Sequence, residues 1–427
     1  MSADGEGARN EWNARSIYLL ASLTLIGSLN FLDRGLLGLL LPLIKEDLVI
    51  SDTMLGIVSG LAFVLFYSTV GVPIAWLADR YSRRNIITIG LSVWSLMTAL
   101  TGFVSNVWQL AATRFLLGAG EASSMGPSNS IVSDLFTGKN RPLAIAILGS
   151  ASSIAALVFV PIAGWISIEY GWRAVFIACG APGLVLAAIF FLTNREPPRK
   201  GEAAQIKPTF TETLYYLGRS RAFVMVTVAE CLLAINLYAT TVWTSSFLVR
   251  VHGLDMMAIS ATLGPLKGLA GLTGALLVGW IASRLGQRNL RWGLWVPALA
   301  MAIIMPGEVM YLFGSSLWVA LAGFGLAAMM TAGQQPPVFA VIMNLAQPRM
   351  RAMAIAVMLL FSGLVGQIVG PLTVGVLNDL LHTAHGEEAI RYSLAICSVS
   401  VVLASLALFY GASDPMMRKA SAAAAVE

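Results

Sequence analysis

"RPLAIAIL", residues Arg141–Leu148, returns 210 residues later as "RAMAIAVM", Arg351–Met358. The same shift carries Pro127 onto Pro337, Asp134 onto Asn344 and Pro161 onto Pro371. One shift serving several landmarks marks a duplicated chain. A second pairing, "AWLADRYSRR" from Ala75 with "GWIASRLGQR" from Gly279, needs a shift of 204, which a small length difference between the copies absorbs. Both copies lie in apolar surroundings. Hydrophobic residues make up 57% of the chain, charged ones only 11%, and the mean hydropathy is +0.77, so the expected solvent is the lipid bilayer. About a dozen runs reach the roughly 20 apolar residues that cross a hydrocarbon core. The expected architecture is all-α and integral to the membrane: twelve transmembrane helices in two pseudo-symmetric six-helix halves. These are residues 17–193 and 222–411, joined by a linker at 194–221 and flanked by polar tails at 1–16 and 412–427.

Lys and Arg in short loops stay preferentially on the cytoplasmic side. With the N-terminus inside, the inner segments hold Arg80, Arg83, Arg84, Arg141, Arg219, Arg284 and many others. The outer ones hold only Lys45, Arg173, Arg250 and Arg391, an asymmetry of about fivefold. Both termini are therefore expected in the cytoplasm. This distribution also accounts for a pI near 9.2 without nucleic acid, since the bases sit at membrane edges beside anionic lipid headgroups. The first apolar run, about 28 residues, is too long for a signal-peptide core and reads as an uncleaved helix. Cys179, Cys231 and Cys397 fall in apolar spans without C-x-x-C spacing and read as small buried hydrophobes.

The loop after the second helix resembles the signature of the major facilitator superfamily, approximately G-x-L-A-D-R-x-G-R-R/K. It stands here as Ala75, Leu77, Ala78, Asp79, Arg80, Ser82, Arg83 and Arg84, with both glycines replaced. Asp79 at a helix end can accept hydrogen bonds from basic groups and helix N-termini, which makes Asp79, Arg80, Arg83 and Arg84 a candidate cytoplasmic latch. Ser283 replaces the acid in the second copy, so that latch is expected to be weaker. Within the superfamily the chain is similar to the Spinster-like transporters, through "NFLDRGLL", "TRFLLGAGEASSMGPSNSIVSDLF" and "GWRAVFIACGAPG", all between residues 30 and 183. The resemblance implies alternating access and carriage of lysolipids or sphingoid-type lipids, including phosphorylated ones. In bacterial members, which this chain resembles and which sit in the inner membrane, it also implies coupling to protons.

Asp33 and Arg34 stand in the middle of the first apolar run, "GSLNFLDRGLLGLLLPLI", Gly27–Ile44. A charge at mid-membrane costs a few kcal/mol or more, so it normally faces a partner or a wet cavity. Asn30, Asp33 and Arg34 are spaced i, i+3, i+4 and share one helical face. On the fourth helix Arg114 and Glu121 are two turns apart, with Gly118 expected to leave that face open. At about 1.5 Å per residue from the outer helix ends, Asp33 lies near 16 Å, Arg114 near 8 Å and Glu121 near 18 Å, so the two pairs can meet. In the resembling family both helices line the central cavity. Asp33 and Glu121 are the proton-coupling candidates, because burial disfavours the charged carboxylate while a neighbouring arginine favours it. Arg34 and Arg114 are candidate anion ligands, suited to phosphate by bidentate hydrogen bonding. Asn30 joins them. A charge network that merely fixes helix packing is the competing reading.

Further candidate cavity residues are Tyr67, Glu230, Tyr238, Thr241, Lys267 and Gln334. Glu230, Tyr238, Thr241 and Ser245 fall near one face of the seventh helix, Lys267 is the only base within the eighth, and Gln334 precedes a helix-breaking "PP" at Pro336 and Pro337. For the threonine and glutamine, ordinary interhelical hydrogen bonding is the alternative. Trp243, Phe247 and Tyr67 could cradle an acyl chain or simply pack. Glu308 is placed near an outer helix end with access to water. His252, His382 and His385 fall in expected outer loops, so neither a nucleophile and base nor a metal cluster is in view, and there is no G-x-x-x-x-G-K-S/T phosphate loop. The reading is a transporter, not an enzyme, with no cofactor and no metal; a membrane lipid enzyme is the contrasting class. Its partners are a lipid-like or small organic anion, sugar acids and drugs included, with protons and membrane lipids. It is expected to act as a monomer without nucleic acid.

Overall fold

The computed structural model describes residues 11–198, 210–287, 289, 291–347 and 350–414. Helices begin where a short polar side chain can accept from the unpaired amides of a first turn. Asn13 caps α1 (Ala14–Leu48), Ser51 caps α2 (Asp52–Gly56), and a π-helical turn, Ile57–Leu61, leads into α3 (Ala62–Arg80). Ser82 caps α4 (Arg83–Thr101) and Asn106 caps α5 (Val107–Glu121). After α6 (Met125–Leu135), α7 (Arg141–Gly149) and α8 (Ala151–Ile154), a second π turn, Ala155–Phe159, opens α9 (Val160–Thr193). Then follow α10 (Phe210–Gly218), α11 (Arg221–His252), α12 (Met256–Gly286), α13 (Trp292–Phe313), α14 (Leu317–Leu345), α15 (Arg351–His385) and α16 (Ala389–Gly411). Among the described residues there is no strand.

Eight helical stretches among the described residues are long and apolar enough to cross a membrane. Two are much longer than one crossing: Arg141–Thr193 has 53 residues and turns at Gly171, and Met353–Gly411 has 59 and turns at Gly386. Gly171 has φ 79°, a conformation that side chains with a Cβ rarely adopt. Large apolar side chains such as Trp108, Leu192 and Trp318 stand exposed, as a lipid solvent requires.

The chain forms two compact units. The first holds Met1–Ile50, Leu61–Ala203 and Asp255–Gly264; the second holds Ser51–Gly60, Ala204–Leu254 and Pro265–Glu427. In the first, α4 packs between α5 and α9, α3 packs on α5, and α1 lies along α8 and α9. Phe176, Phe190 and Trp94 fill its interior. In the second, α11 packs on α15 and α16, and α13 on α14 and α16, around Phe223, Met301, Ile304 and Met358.

Several expectations need correction. Pro336 and Pro337 do not break α14, which runs on to Leu345, because a membrane helix tolerates proline where neighbours satisfy the freed backbone groups. Glu308 does not reach water: it is buried, accepts a hydrogen bond from Asn236 Nδ2 at 3.1 Å, and Ser398 donates to the other end of Asn236. His252 lies in the last turn of α11, and His382 and His385 lie in the last turn of α15, not in loops. Trp243 and Phe247 are fully buried, with Trp243 Nε1 donating to the Pro371 carbonyl, so both are packing residues.

Candidate functional site

The first unit gathers the polar residues of α1 and α5. Asn30, Asp33, Arg114 and Glu121 are all buried among apolar helices. The ion pairs are crossed relative to the sequence. Arg34 turns from its neighbour Asp33 to Glu121, with Nε donating to Oε2 at 2.7 Å. Arg114 reaches α1 instead, where Nη1 donates to the Asp33 backbone carbonyl at 3.5 Å. The Asp33 carboxyl lies beside the Arg114 guanidinium and the Thr98 hydroxyl of α4, and Asn30 lies beside the Glu121 carboxyl. Each carboxylate thus faces the arginine of the other helix. Burial penalises these charges singly, and the opposite charges facing them act against that penalty.

Aromatic faces complete the setting. The Arg34 guanidinium stands over Tyr67 at 4.7 Å and over Phe63 at 5.5 Å, and those two rings stack on each other. Arg114 stands over Phe176 at 5.0 Å. Such faces hold a guanidinium without consuming its N–H donors. Arg114 Nε and Nη2 accordingly find no hydrogen-bond partner among the described residues. Gly118 does not leave an open face, contrary to expectation. A Cβ there would lie 2.5 Å from the Phe63 carbonyl, so this glycine brings α3 against α5 and sets Phe63 and Tyr67 beside Arg34.

The second unit holds the other candidates in two places. On α11 and α14, Gln334 lies against the Glu230 carboxyl, both side chains buried. On α12, Lys267 Nζ donates to Thr241 Oγ1 of α11 at 3.4 Å. Tyr238 is half-buried one turn before Thr241. Among the latch candidates, the Asp79 side chain lies outside the described residues. Arg83 is buried and paired with Asp134 at 2.5 Å and Glu196 at 3.1 Å, and it also donates to Ser130. Arg84 donates to the Asn194 carbonyl, while Arg80 stands over Trp76. Burial opposes ionisation of Glu196, but hydrogen bonds from Ser82 and Arg83 outweigh it and hold its carboxyl below the usual carboxylate range.

Sequence reasoning missed Thr98, Phe63 and Phe176. Their only signal is spacing: Phe63 and Tyr67 are one turn apart, as are Trp172 and Phe176. No group of three or more His, Cys, Asp or Glu residues that could hold a metal occurs among the described residues.

Residues 23–308 match the Major Facilitator Superfamily, and the chain belongs to that family of membrane transporters. It is 29% identical over 96% of its length to an MFS-type efflux pump of Mycolicibacterium smegmatis, covering 94% of that protein. It is 26% identical to spinster homolog 1 of Xenopus tropicalis, over 90% of this chain and 78% of that one. It is 25% identical to a probable galactarate/D-glucarate transporter of Bacillus subtilis, over 73% and 74%. Among solved structures, a bacterial homologue of the human lysosomal transporter Spinster, inward-facing and unoccupied, matches with a TM-score of 0.84. That match is at 25% identity over 94% of this chain and 97% of that one.

Proposed function

We propose that this chain is a proton-coupled secondary transporter that works by alternating access and carries an amphipathic, lipid-like anion, a lysophospholipid or a sphingoid phosphate. The observation that carries the reading is the four-charge cluster of Asp33, Arg34, Arg114 and Glu121, three of them buried and Arg34 half-buried, in which Arg114 keeps two N–H donor atoms uncommitted. An anion that takes Arg34 or Arg114 weakens the hold of that arginine on Glu121 or Asp33. A buried carboxylate losing its counter-charge binds a proton more readily, so ligand and proton are thermodynamically linked through the arginines. Asn30 and Thr98 steady the carboxyls, and Tyr67 positions Arg34 through its ring face.

The wider setting is part of the same proposal: twelve crossings, both termini cytoplasmic, a monomer in a bacterial inner membrane. Arg83 with Asp134 and Glu196 is the working part of the latch near Asp79, Arg80 and Arg84. Tyr238, Thr241, Lys267, Glu230 and Gln334 contribute to binding from the second unit.

A second reading is a carrier of small organic anions such as sugar acids, supported by the likeness to the galactarate/D-glucarate transporter. The same two arginines would serve a carboxylate. The deciding experiment is binding of a lysophospholipid, a sphingoid phosphate and D-glucarate to the purified protein in lipid nanodiscs. The lipid reading requires the first two to bind more tightly than D-glucarate, and the reverse order refutes it.

A further inference from the structure

Glu230 and Gln334 form a buried polar pair of the second unit that neither the ion pairs nor the helix packing described above accounts for. Glu230 sits on α11 and is 7% exposed; Gln334 sits on α14 and is 2% exposed. Each keeps one acceptor without a hydrogen-bond partner among the described residues, Oε1 of Glu230 and Oε1 of Gln334. Leaving a buried acceptor unpaired costs about as much as a lost hydrogen bond, and more for a charged one. Two such acceptors side by side call for a donor. At this pair the unpartnered atoms are oxygens, whereas Arg114 of the first unit has unpartnered N–H donors.

We propose that the Glu230–Gln334 pair is a subsite for a hydrogen-bond donor on the substrate, an N–H of an ammonium head or an O–H of a polyol. This deepens the transport reading given above and rests on it. A carboxylate with an amide oxygen beside it offers two acceptors to one primary ammonium, which has three N–H bonds to give. A quaternary ammonium has none. The pair therefore selects for hydrogen-bond donors and not for positive charge alone. The other polar contact among the candidates of the second unit, Lys267 Nζ to Thr241 Oγ1, lies eleven residues further along α11 and supplies a donor, whereas Glu230 and Gln334 supply acceptors.

The test compares ligands that differ only in their donors, on full-length protein in nanodiscs. One arm pairs an ethanolamine-headed lysophospholipid with its choline-headed counterpart of the same acyl chain. The other pairs D-glucarate with adipate, which keeps both carboxylates and lacks the hydroxyls. The parent should prefer the donor-bearing member of at least one pair by about tenfold, the scale of one hydrogen bond to a charged group. The arm in which the preference occurs identifies the source. Glu230→Gln should bring that ratio close to one, chiefly by weakening the member of the pair that carries the extra donors. Gln334→Met, which keeps the volume and removes the acceptor, should lower it partway. Parent-like helical circular dichroism and thermal melting certify that a variant is folded; where one variant fails this check, the other decides. A parent that binds both members of each pair equally, or a ratio that survives both substitutions, overturns the subsite but leaves the anion reading intact provided Arg114→Ala still weakens all four ligands. A parent that binds none of the four overturns both.

Discussion

Arg34 and Arg114 differ in what they already do, and this sets what each substitution should cost. Arg34 is committed to Glu121 and held over two rings, whereas Arg114 gives one long bond to a backbone carbonyl and keeps two donors uncommitted. Arg114→Ala should therefore weaken binding of a phosphate-bearing ligand by about 1–3 kcal/mol, the scale of a charged hydrogen bond. An analogue without the phosphate should lose little. Isothermal titration of the two ligands checks this, and equal losses for both would assign Arg114 a structural role. The four charges were legible in the sequence because spacing alone puts Asn30, Asp33 and Arg34 on one face and gives Glu121 a depth near that of Asp33. The crossing of the pairs was not legible. Which carboxylate an arginine meets depends on helix rotation set by contacts such as Gly118 against Phe63, and a single sequence carries no record of those.

Helical segments show the same division. Their caps and apolar lengths are written in composition, but a π turn has the hydropathy of an α turn, so Ile57–Leu61 and Ala155–Phe159 left no trace. The short α2 is a case where packing, not pattern, places a segment. Arg250 donates through Nη1 and Nη2 to both oxygens of Asp52, at 2.6 and 2.9 Å, Asn378 donates to the same carboxylate, and Asp379 accepts from the amides of Asp52 and Thr53. Gly56 and Gly60 leave no room for a Cβ against the backbone of α15. Asp52→Ala leaves Arg250 with the exposed carboxylate of Glu387 and should loosen α2 on α15, raising hydrogen exchange in residues 52–60 while α5 is unaffected. At the other loop, Glu196 has a carboxyl held below its ordinary range, so its contribution is present at neutral pH and is lost as pH falls through that lowered value. The protection factor of the Arg83 amide, which donates to Glu196, should fall in acid, and Glu196→Gln should remove most of that pH dependence.

At the scale of the whole molecule, the bases assigned to the outer side keep local partners. Three of the four bases assigned to the outer side are neutralised within their own units: Arg173 by Asp47, Arg250 by Asp52, and Arg391 by Glu388. A near-repeat of one octapeptide was legible in the sequence. Membership of the two units was less so, because Ser51–Gly60 and Asp255–Gly264 belong by contact to the unit their flanking sequence does not predict. Such ten-residue segments are placed by small-residue packing, which hydropathy does not register. Molecule and site meet in the claim that anion binding and protonation are linked through Asp33 and Glu121. The most direct test is accumulation of a phosphorylated lysolipid in proteoliposomes with and without an imposed pH gradient, for the parent and for Asp33→Asn. The variant should still bind the ligand and equilibrate it, but should no longer concentrate it in response to the gradient. Accumulation by Asp33→Asn equal to that of the parent would contradict the account and return the charges of α1 and α5 to a purely structural role.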